Sequence, residues 1–569
     1  MRPGLSENLI KRLLPNAKYT IAELEQKFPL RNLPDGAMVT RFAPSPTGYM
    51  HIGGLYQMLL NWKLAKQSDG VFMLRIEDTD IAREVDGAIS LIMGTQNAFW
   101  LQSGEGPVFN ANNEIESKGD YGTYLQSHRK DIYHSVAAEF LRRGAAYPCF
   151  LTAENLSDIR AQQTENGEPT GIYGAWARDR DLSESEIIAH LDNGEIPSIR
   201  FYSDGDPSRK VFVKDASRGS IAMPENNVDE IIIKSTDGLP TYHFAHVVDD
   251  HFMRTTHVVR GEEWLPSTPK HLQMFGALGW TPPVYVHTST IDKIDDETGK
   301  QRKISKRKDP EANVDYFIKE GYPPNAVLEY LLNIMSSRYE EEKTKNPGLD
   351  WRKDDYKINI KKIPTSGALY NPDKLDWWAK EYIAGLSAGE IYKQMSDWNP
   401  AGLSLAYTHT DYVSSGIYTL SGMRLFIDKH QDYLIDIFGI ERDNPKRVRK
   451  DFITWKQTVE SICFFFDKDE LPEKYKQFGY TQNTEFEYNK NALDAFVRGF
   501  NENDDKNIWW NKIVQIASDM DIKNGDVAMN LRVAITGRAQ TPDLYSIMQV
   551  MEKHRPGMVK NRINKIING

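Results

Sequence analysis

The chain has 569 residues, with 70 Lys or Arg against 80 Asp or Glu, and a net charge of −10 at pH 7. That length exceeds what one hydrophobic core organises, so about three to five domains are expected. A composition 40% apolar and 26% charged excludes a disordered chain, and its apolar runs are strand-sized, which excludes a membrane-spanning helix.

The first 37 residues contain Arg2, Lys11 and Arg12 but also Glu7, Glu23 and Glu25, without an apolar core. They do not read as a signal or transit peptide, and the cytoplasm is the expected location. Thr20–Glu23 (TIAE) reads as a capping box opening a short helix. AMVTRFA (37–43) predicts a strand that runs into PSPTG. Ile52, Leu55, Leu59, Trp62 and Ala65 follow at helical spacing, and SDG at 68–70 ends that helix. VFMLRIED (71–78) predicts a continuous buried strand. Strand, helix, strand is a βαβ unit, which points to a doubly wound α/β domain. Residues 131–230 are mixed: a helix (DIYHSVAAEFLRRG), polar loops, and the strands SIRFY and KVFVKD. A further core-type strand, DEIIIKS (229–235), precedes DGLPTYHFAHVVDDHFM and THVVRGEEW, where α/β patterning resumes. An insertion is therefore expected to split the α/β domain. From YPPNAVLEYLLNIM onward the period is helical, through GIYTLSGMRLFIDKH, ITWKQTVESICFFF, NALDAFVRGF and LYSIMQVMEKH.

Two stretches carry the chemistry. In RFAPSPTGYMHIGG (41–54), Pro44 and Pro46 stiffen the approach to a helix, and Gly48, Gly53 and Gly54 admit close backbone approach. His51 at the first turn can donate to a phosphoryl oxygen beside the helix dipole. A rigid Pro/Gly turn with a surface histidine fits the same residues. In KISKRKD (303–309), Lys303 and Lys306 flank a serine in a polar loop and could close over a triphosphate. A solvated basic loop fits equally. Glu262–Glu263 and Asp249–Asp250–His251 suggest capping and ion pairing rather than a metal site. Lys446, Arg447, Arg449, Lys450 and Trp455 suit either a phosphate-tracking face or a solvated helix. The acidic mean charge does not advertise nucleic-acid binding, although a large enzyme can gather positive charge on one face. With only Cys149 and Cys463, neither a disulfide framework nor a Cys-built zinc site is expected.

Taken together, HIGG after the first strand and KISKR after the last resemble the paired signatures of class I aminoacyl-tRNA synthetases. RFAPSPTG, LRIEDTD, DYGTYLQSHR, LPTYHFAHVVDDHFM and VVRGEEW, in this order, are similar to glutamyl-tRNA synthetases. VAMNLRVAITGRAQTPDLYSIMQVM resembles the helical anticodon-binding end of the bacterial type. The resemblance implies ATP with Mg²⁺ as cofactor and no protein-bound zinc, only Cys149 standing near YPCF. Its implied partners are L-glutamate and tRNA-Glu, with tRNA-Gln as a second acceptor left open, no membrane, and a monomer. It implies His51, Lys303 and Lys306 as catalytic groups. ATP would meet Pro44, Thr47, Gly48, His51, Gly53, Gly54, Glu263, Lys303, Ser305 and Lys306. Glutamate would meet Arg41, Ala43, Ser45, Glu77, Tyr242, His246 and Arg260; its carboxylates require Arg, and its ammonium an acid. His246 stands where relatives carry Asn or a small residue, so a packed core histidine is the competing reading. Gly54 replaces the second His of the general signature.

The implied fold is a Rossmann-type doubly wound parallel sheet split by an α+β insertion and followed by an α-helical anticodon-binding region. Its expected parts are an N-terminal extension (1–37), the catalytic domain (38–120 and 242–310) and an insertion for the tRNA acceptor end (121–241). A stem-contact domain (311–388) and a helical anticodon-binding domain (389–569) complete it. Competing readings are a glutaminyl-tRNA synthetase, which would carry other residues at Ser45 and Thr47 and need not keep Arg260; a truncated paralogue that glutamylates a modified tRNA base, which would lack the helical last third; and an inactive tRNA-binding relative.

Overall fold

The computed structural model describes residues 3–112, 114–353, 355–398, 403, 423–443 and 448–569. It divides into two compact units, Met1–Val314 with Leu331–Tyr370, and Asp315–Tyr330 with Asn371–Gly569.

The first unit opens with α1 (Glu7–Leu13) and α2 (Ile21–Lys27), then β1 (Val39–Phe42), α3 (Ile52–Lys66), β2 (Val71–Leu74) and α4 (Ala88–Ala98). The predicted capping box forms: Thr20 Oγ1 accepts from the Glu23 N–H at 3.2 Å, and Glu23 Oε2 from the Thr20 N–H at 2.7 Å. β1 and β2 pair in parallel, Val39 opposite Val71. The predicted strand 71–78 is assigned only to Leu74, yet the ladder runs on, Arg75 and Glu77 donating to the carbonyls of Phe42 and Pro44 at 3.0 Å. Pro44 and Pro46 have no N–H to return those bonds, which ends the regular strand.

The hairpin β3 (Gly106–Phe109) and β4 (Ile115–Lys118) leads to α5 (Lys130–Arg142), β5 (Ala146–Cys149), α6 (Ala153–Glu165) and α7 (Glu184–Asp192). Next come β6 (Ser198–Phe201), β7 (Lys210–Asp215), β8 (Gly219–Pro224) and β9 (Ile231–Ile233). β5, β6 and β9 form an antiparallel sheet, so the predicted strand 229–235 belongs to it and not to the parallel sheet. The chain then returns through α8 (Tyr242–Phe252), β10 (His257–Gly261), α9 (Thr268–Leu278), β11 (Val284–Thr288), β12 (Ile291–Ile294) and β13 (Gln301–Lys303). β10 runs beside β1, the Thr256 N–H donating to the Val39 carbonyl at 3.0 Å, and pairs in parallel with β11. The β7–β8 hairpin docks on the far side of β11, where Asp215 pairs with Tyr285.

One core joins these pieces. Val39 and Met73 of the sheet meet Phe244, Val247 and Val248 of α8, Tyr133, Val136 and Phe140 of α5, and Ile10, Leu24 and Phe28 of the N-terminal extension. Each such buried side chain is worth about 1.5–3 kcal/mol, which makes the extension part of the fold.

The second unit packs helices around its own apolar core, which includes Leu434, Phe438, Phe465, Leu531, Ile547 and Ile563. Of the basic stretch, Lys446 and Arg447 lie outside the described residues, as do residues 416–422 of GIYTLSGMRLFIDKH, while Met423–Lys429 form a helix. Arg449 pairs with Asp451 at 2.6 Å and Lys450 with Glu381 at 2.6 Å. Trp455 is 2% exposed within the core, so it offers no ring for a base to stack on, contrary to the phosphate-tracking reading. Among the described residues no helix is long and apolar enough to cross a membrane.

Candidate active site

A cavity of about 490 Å³ opens at the C-terminal ends of β1, β10 and β11, where ligands bind in open α/β sheets. Its wall on one side is the start of α3. His51 caps that helix, its Nδ1 accepting from the Gly53 N–H at 3.0 Å, which leaves the proton on Nε2 facing the Ile304 carbonyl at 3.3 Å. Burial holds the imidazole below its ordinary pKa, with Lys306 and Lys303 adding to the effect against the Ile304 carbonyl, so it is a neutral donor at pH 7. Gly48 sits at φ +109°, which only glycine adopts readily. A Cβ at Gly53 would crowd His51 Nδ1 at 3.2 Å, and one at Gly54 would crowd Met50 Cγ at 3.1 Å.

The loop after β13 lies against this helix start. Lys303 lines the cavity and the Lys306 ammonium donates to the Tyr49 carbonyl. Asp309 frames the loop, accepting from both terminal nitrogens of Arg302 at 2.7 and 2.8 Å and from the Ser305 N–H at 2.9 Å. The Arg302 bonds bring its carboxyl down to about 2.

Beneath the other end lies a buried ionic network. Arg41 Nε reaches Asp250 at 3.1 Å, and Arg75 touches Asp250 at 2.7 Å and Glu77 at 3.0 Å. Arg129 holds Asp249 at 2.8 Å, and the Tyr133 hydroxyl donates to it at 2.8 Å. Burial opposes ionisation of Asp250, but Arg41 and Arg75 outweigh it and hold the carboxyl well below the ordinary range. At Glu77 burial prevails and raises the pKa. Three guanidiniums thus face three carboxylates.

Arg260 differs. It is 5% exposed, and among the described residues no carboxylate pairs with it. Its Nε donates to His287 Nε2 at 3.0 Å, and Nη2 to Thr268 Oγ1 at 2.9 Å and the Trp264 carbonyl at 3.3 Å; Nη1 lies 3.4 Å from His271 Nδ1. An unmatched buried guanidinium beside a cavity calls for an anionic ligand.

Residues 37–377 match the family model for the catalytic domain of class I tRNA synthetases (E and Q), and residues 446–567 match an anticodon binding domain. The chain is 40% identical over 577 residues to the glutamate–tRNA ligase of Clostridium perfringens strain SM101, covering 99% of each. It is likewise 40% identical to that of Acetivibrio thermocellus, over 99% of this chain and 100% of the relative. The chain belongs to the glutamate–tRNA ligase family. The crystal structure of glutamate-tRNA synthetase from Elizabethkingia anophelis superposes with a TM-score of 0.70 at 26% identity, covering 94% of this chain and 100% of that one.

Of the residues expected from this family, Arg41, Ala43, Ser45, His51, Gly53, Gly54, Glu77, Tyr242, Arg260, Glu263 and Lys303 line the cavity. Pro44, Thr47 and Gly48 form the turn between β1 and α3, and Ser305 and Lys306 stand on the loop beside it. His246 is fully buried behind the wall, 2.8 Å from Asp250 Oδ2 and 3.2 Å from the Tyr285 hydroxyl, and the cavity does not reach it. Sequence reasoning missed Gln57, whose amide donates to Thr288, and Trp264, whose ring lies 4.2 Å from that of Tyr242. Gln57 follows Gly53 and Gly54 by one helical turn, a spacing that could have revealed it. It also missed His287, a polar residue in the buried strand VYVHT.

Proposed function

We infer that the protein is an ATP-dependent glutamate–tRNA ligase, activating L-glutamate as glutamyl-adenylate and passing the glutamyl group to the 3′ end of tRNA-Glu. The observation that carries this reading is the uncompensated Arg260 charge, set in the same cavity as His51, Glu263 and Lys303. In the first step a glutamate α-carboxylate oxygen attacks the α-phosphorus of ATP and pyrophosphate leaves. Catalysis is positioning and electrostatics, without a covalent enzyme intermediate.

His51 Nε2–H and the α3 N-terminus hold phosphoryl oxygens, exchanging the Ile304 carbonyl for them. Lys303 and Lys306 meet the charge that builds on the departing pyrophosphate. Thr47, Gly48 and Ser305 complete the nucleotide contacts, Glu263 meets the ribose, and Ser45 stands beside Arg41 on the glutamate side. Arg41 and Arg260 take the side-chain carboxylate, and Glu77, ionised when an ammonium neutralises its buried site, takes the α-ammonium. Mg²⁺ arrives with ATP as part of the substrate. The insertion guides the acceptor end, the residues from 311 to 388 meet the stem, and the helices from 389 onward read the anticodon, single-stranded loops being where RNA sequence is read.

ATP–pyrophosphate exchange with tRNA present, run separately with glutamate and glutamine, tests the reading. Exchange with glutamate alone, abolished by Lys306→Ala, is the expected result. Exchange with glutamine would install the glutaminyl alternative, and none with either an inactive relative.

A further inference from the structure

Arg260 is held from behind by a chain of hydrogen bonds that begins outside the nucleotide-binding fold. Asp215, the last residue of β7, is anchored at both oxygens. Its Oδ1 accepts from the N–H groups of Ser217 and Arg218 at 2.9 and 2.8 Å, and its Oδ2 from the His287 N–H at 2.9 Å. The same Oδ2 lies 2.7 Å from His287 Nδ1, and both side chains are fully enclosed. An ionised carboxylate only accepts, so Nδ1 carries the proton and Nε2 presents a lone pair. That lone pair faces Arg260 Nε at 3.0 Å. With the opposite tautomer two N–H groups would point at each other.

A carboxylate directly against Arg260 would orient it equally well but would cancel its charge. A neutral imidazole orients without cancelling, and sets the carboxylate one residue further back. We propose that Asp215 and His287 are positioning residues that aim the Arg260 guanidinium at the side-chain carboxylate of glutamate, so that the β7–β8 hairpin of the insertion governs the amino-acid site. Arg218 reinforces the link, donating to the His287 carbonyl at 3.0 Å and to Glu262 at 2.6 Å. The inference rests on the reading that Arg260 receives glutamate, and the test separates the two.

Steady-state aminoacylation by the full-length protein is measured for the wild type, His287→Leu, His287→Gln and Arg260→Gln. His287→Leu removes the acceptor and is expected to raise the glutamate KM roughly tenfold, leaving the ATP KM within about twofold. His287→Gln keeps a donor for Asp215 and an acceptor for Arg260, and restores most of the glutamate KM. A merely structural role would move both KM values together and would overturn the proposal. If Arg260→Gln loses glutamate saturation while His287→Leu keeps it, the relay falls and the Arg260 assignment stands. If Arg260→Gln keeps it, both fall. Should His287→Leu fail to fold, ¹⁵N-histidine spectra of the wild type decide, with the His287 signals assigned by their loss in His287→Gln. A proton on Nδ1 supports the relay, and one on Nε2 overturns it.

Discussion

Arg75 is fully buried and bonds both Asp250 and Glu77, so it concentrates the ionic core beneath the cavity. Removing one partner from such a cluster leaves buried charge uncompensated. Arg75→Met is expected to cost about 3–5 kcal/mol in urea unfolding, whereas Arg12→Ala, which breaks the exposed pair with Asp192, is expected to cost about 0–1 kcal/mol. The histidines set the acid limit. Burial lowers His243 to about 4 and His246 to about 3, and it holds His271 well below its ordinary value. Their folded pKa values lie below the unfolded value, so below about pH 6.5 the unfolded chain binds more protons and stability falls as pH drops. Melting temperature is expected to be flat from pH 8 to 7 and to decline steadily from pH 6.5 to 5. His246 also shows where sequence reading stops. HFAHVVDDH reveals a histidine one helical turn from Asp250, but whether its ring is also open to a ligand depends on Tyr285 of β11 and His271 of α9 closing over it, a long-range fact.

At the scale of elements, the turn into α3 and the loop after β13 were legible because Pro, Gly, His and Lys constrain backbone or charge wherever they stand. Asp309 was not, since a carboxylate at the end of KISKRKD reads as a solvated charge until the loop folds back and gives it Arg302 and the Ser305 N–H. Asp309→Ala is expected to loosen that frame. The ATP KM should rise severalfold with little change in the glutamate KM, and trypsin should cut after Arg307 and Lys308 faster than in the wild type. Equal proteolysis in the two proteins would remove Asp309 from this role. β7 was legible as the strand KVFVKD, but neither its hairpin with β8 nor its place in the sheet was. It meets β11 through a single residue pair, Asp215 with Tyr285, between segments remote in sequence, and alternation within KVFVKD carries no record of that partner.

At the scale of the whole molecule, the helical last third was foreseen from its period, but the expected boundary at 389 divides a core. Ile383, on the helix Pro372–Ala384, belongs to the same cluster as Leu434 and Phe438. Arg442 donates to the carbonyls of Ile383, Ala384 and Leu386 at 3.2, 3.2 and 2.8 Å. A fragment 389–569 is expected to be less stable than 371–569 by roughly 2–4 kcal/mol in urea, and equal midpoints would show that this helix adds nothing. The parallel sheet has a further consequence, which concerns synthesis. Val39 bonds Thr256, 217 positions along the chain. At about 5–20 residues per second, β1 leaves the ribosome on the order of 10–40 s before its neighbour exists. For that interval the nascent βαβ unit carries a bare strand edge, which makes it a natural client for chaperones that shield such edges.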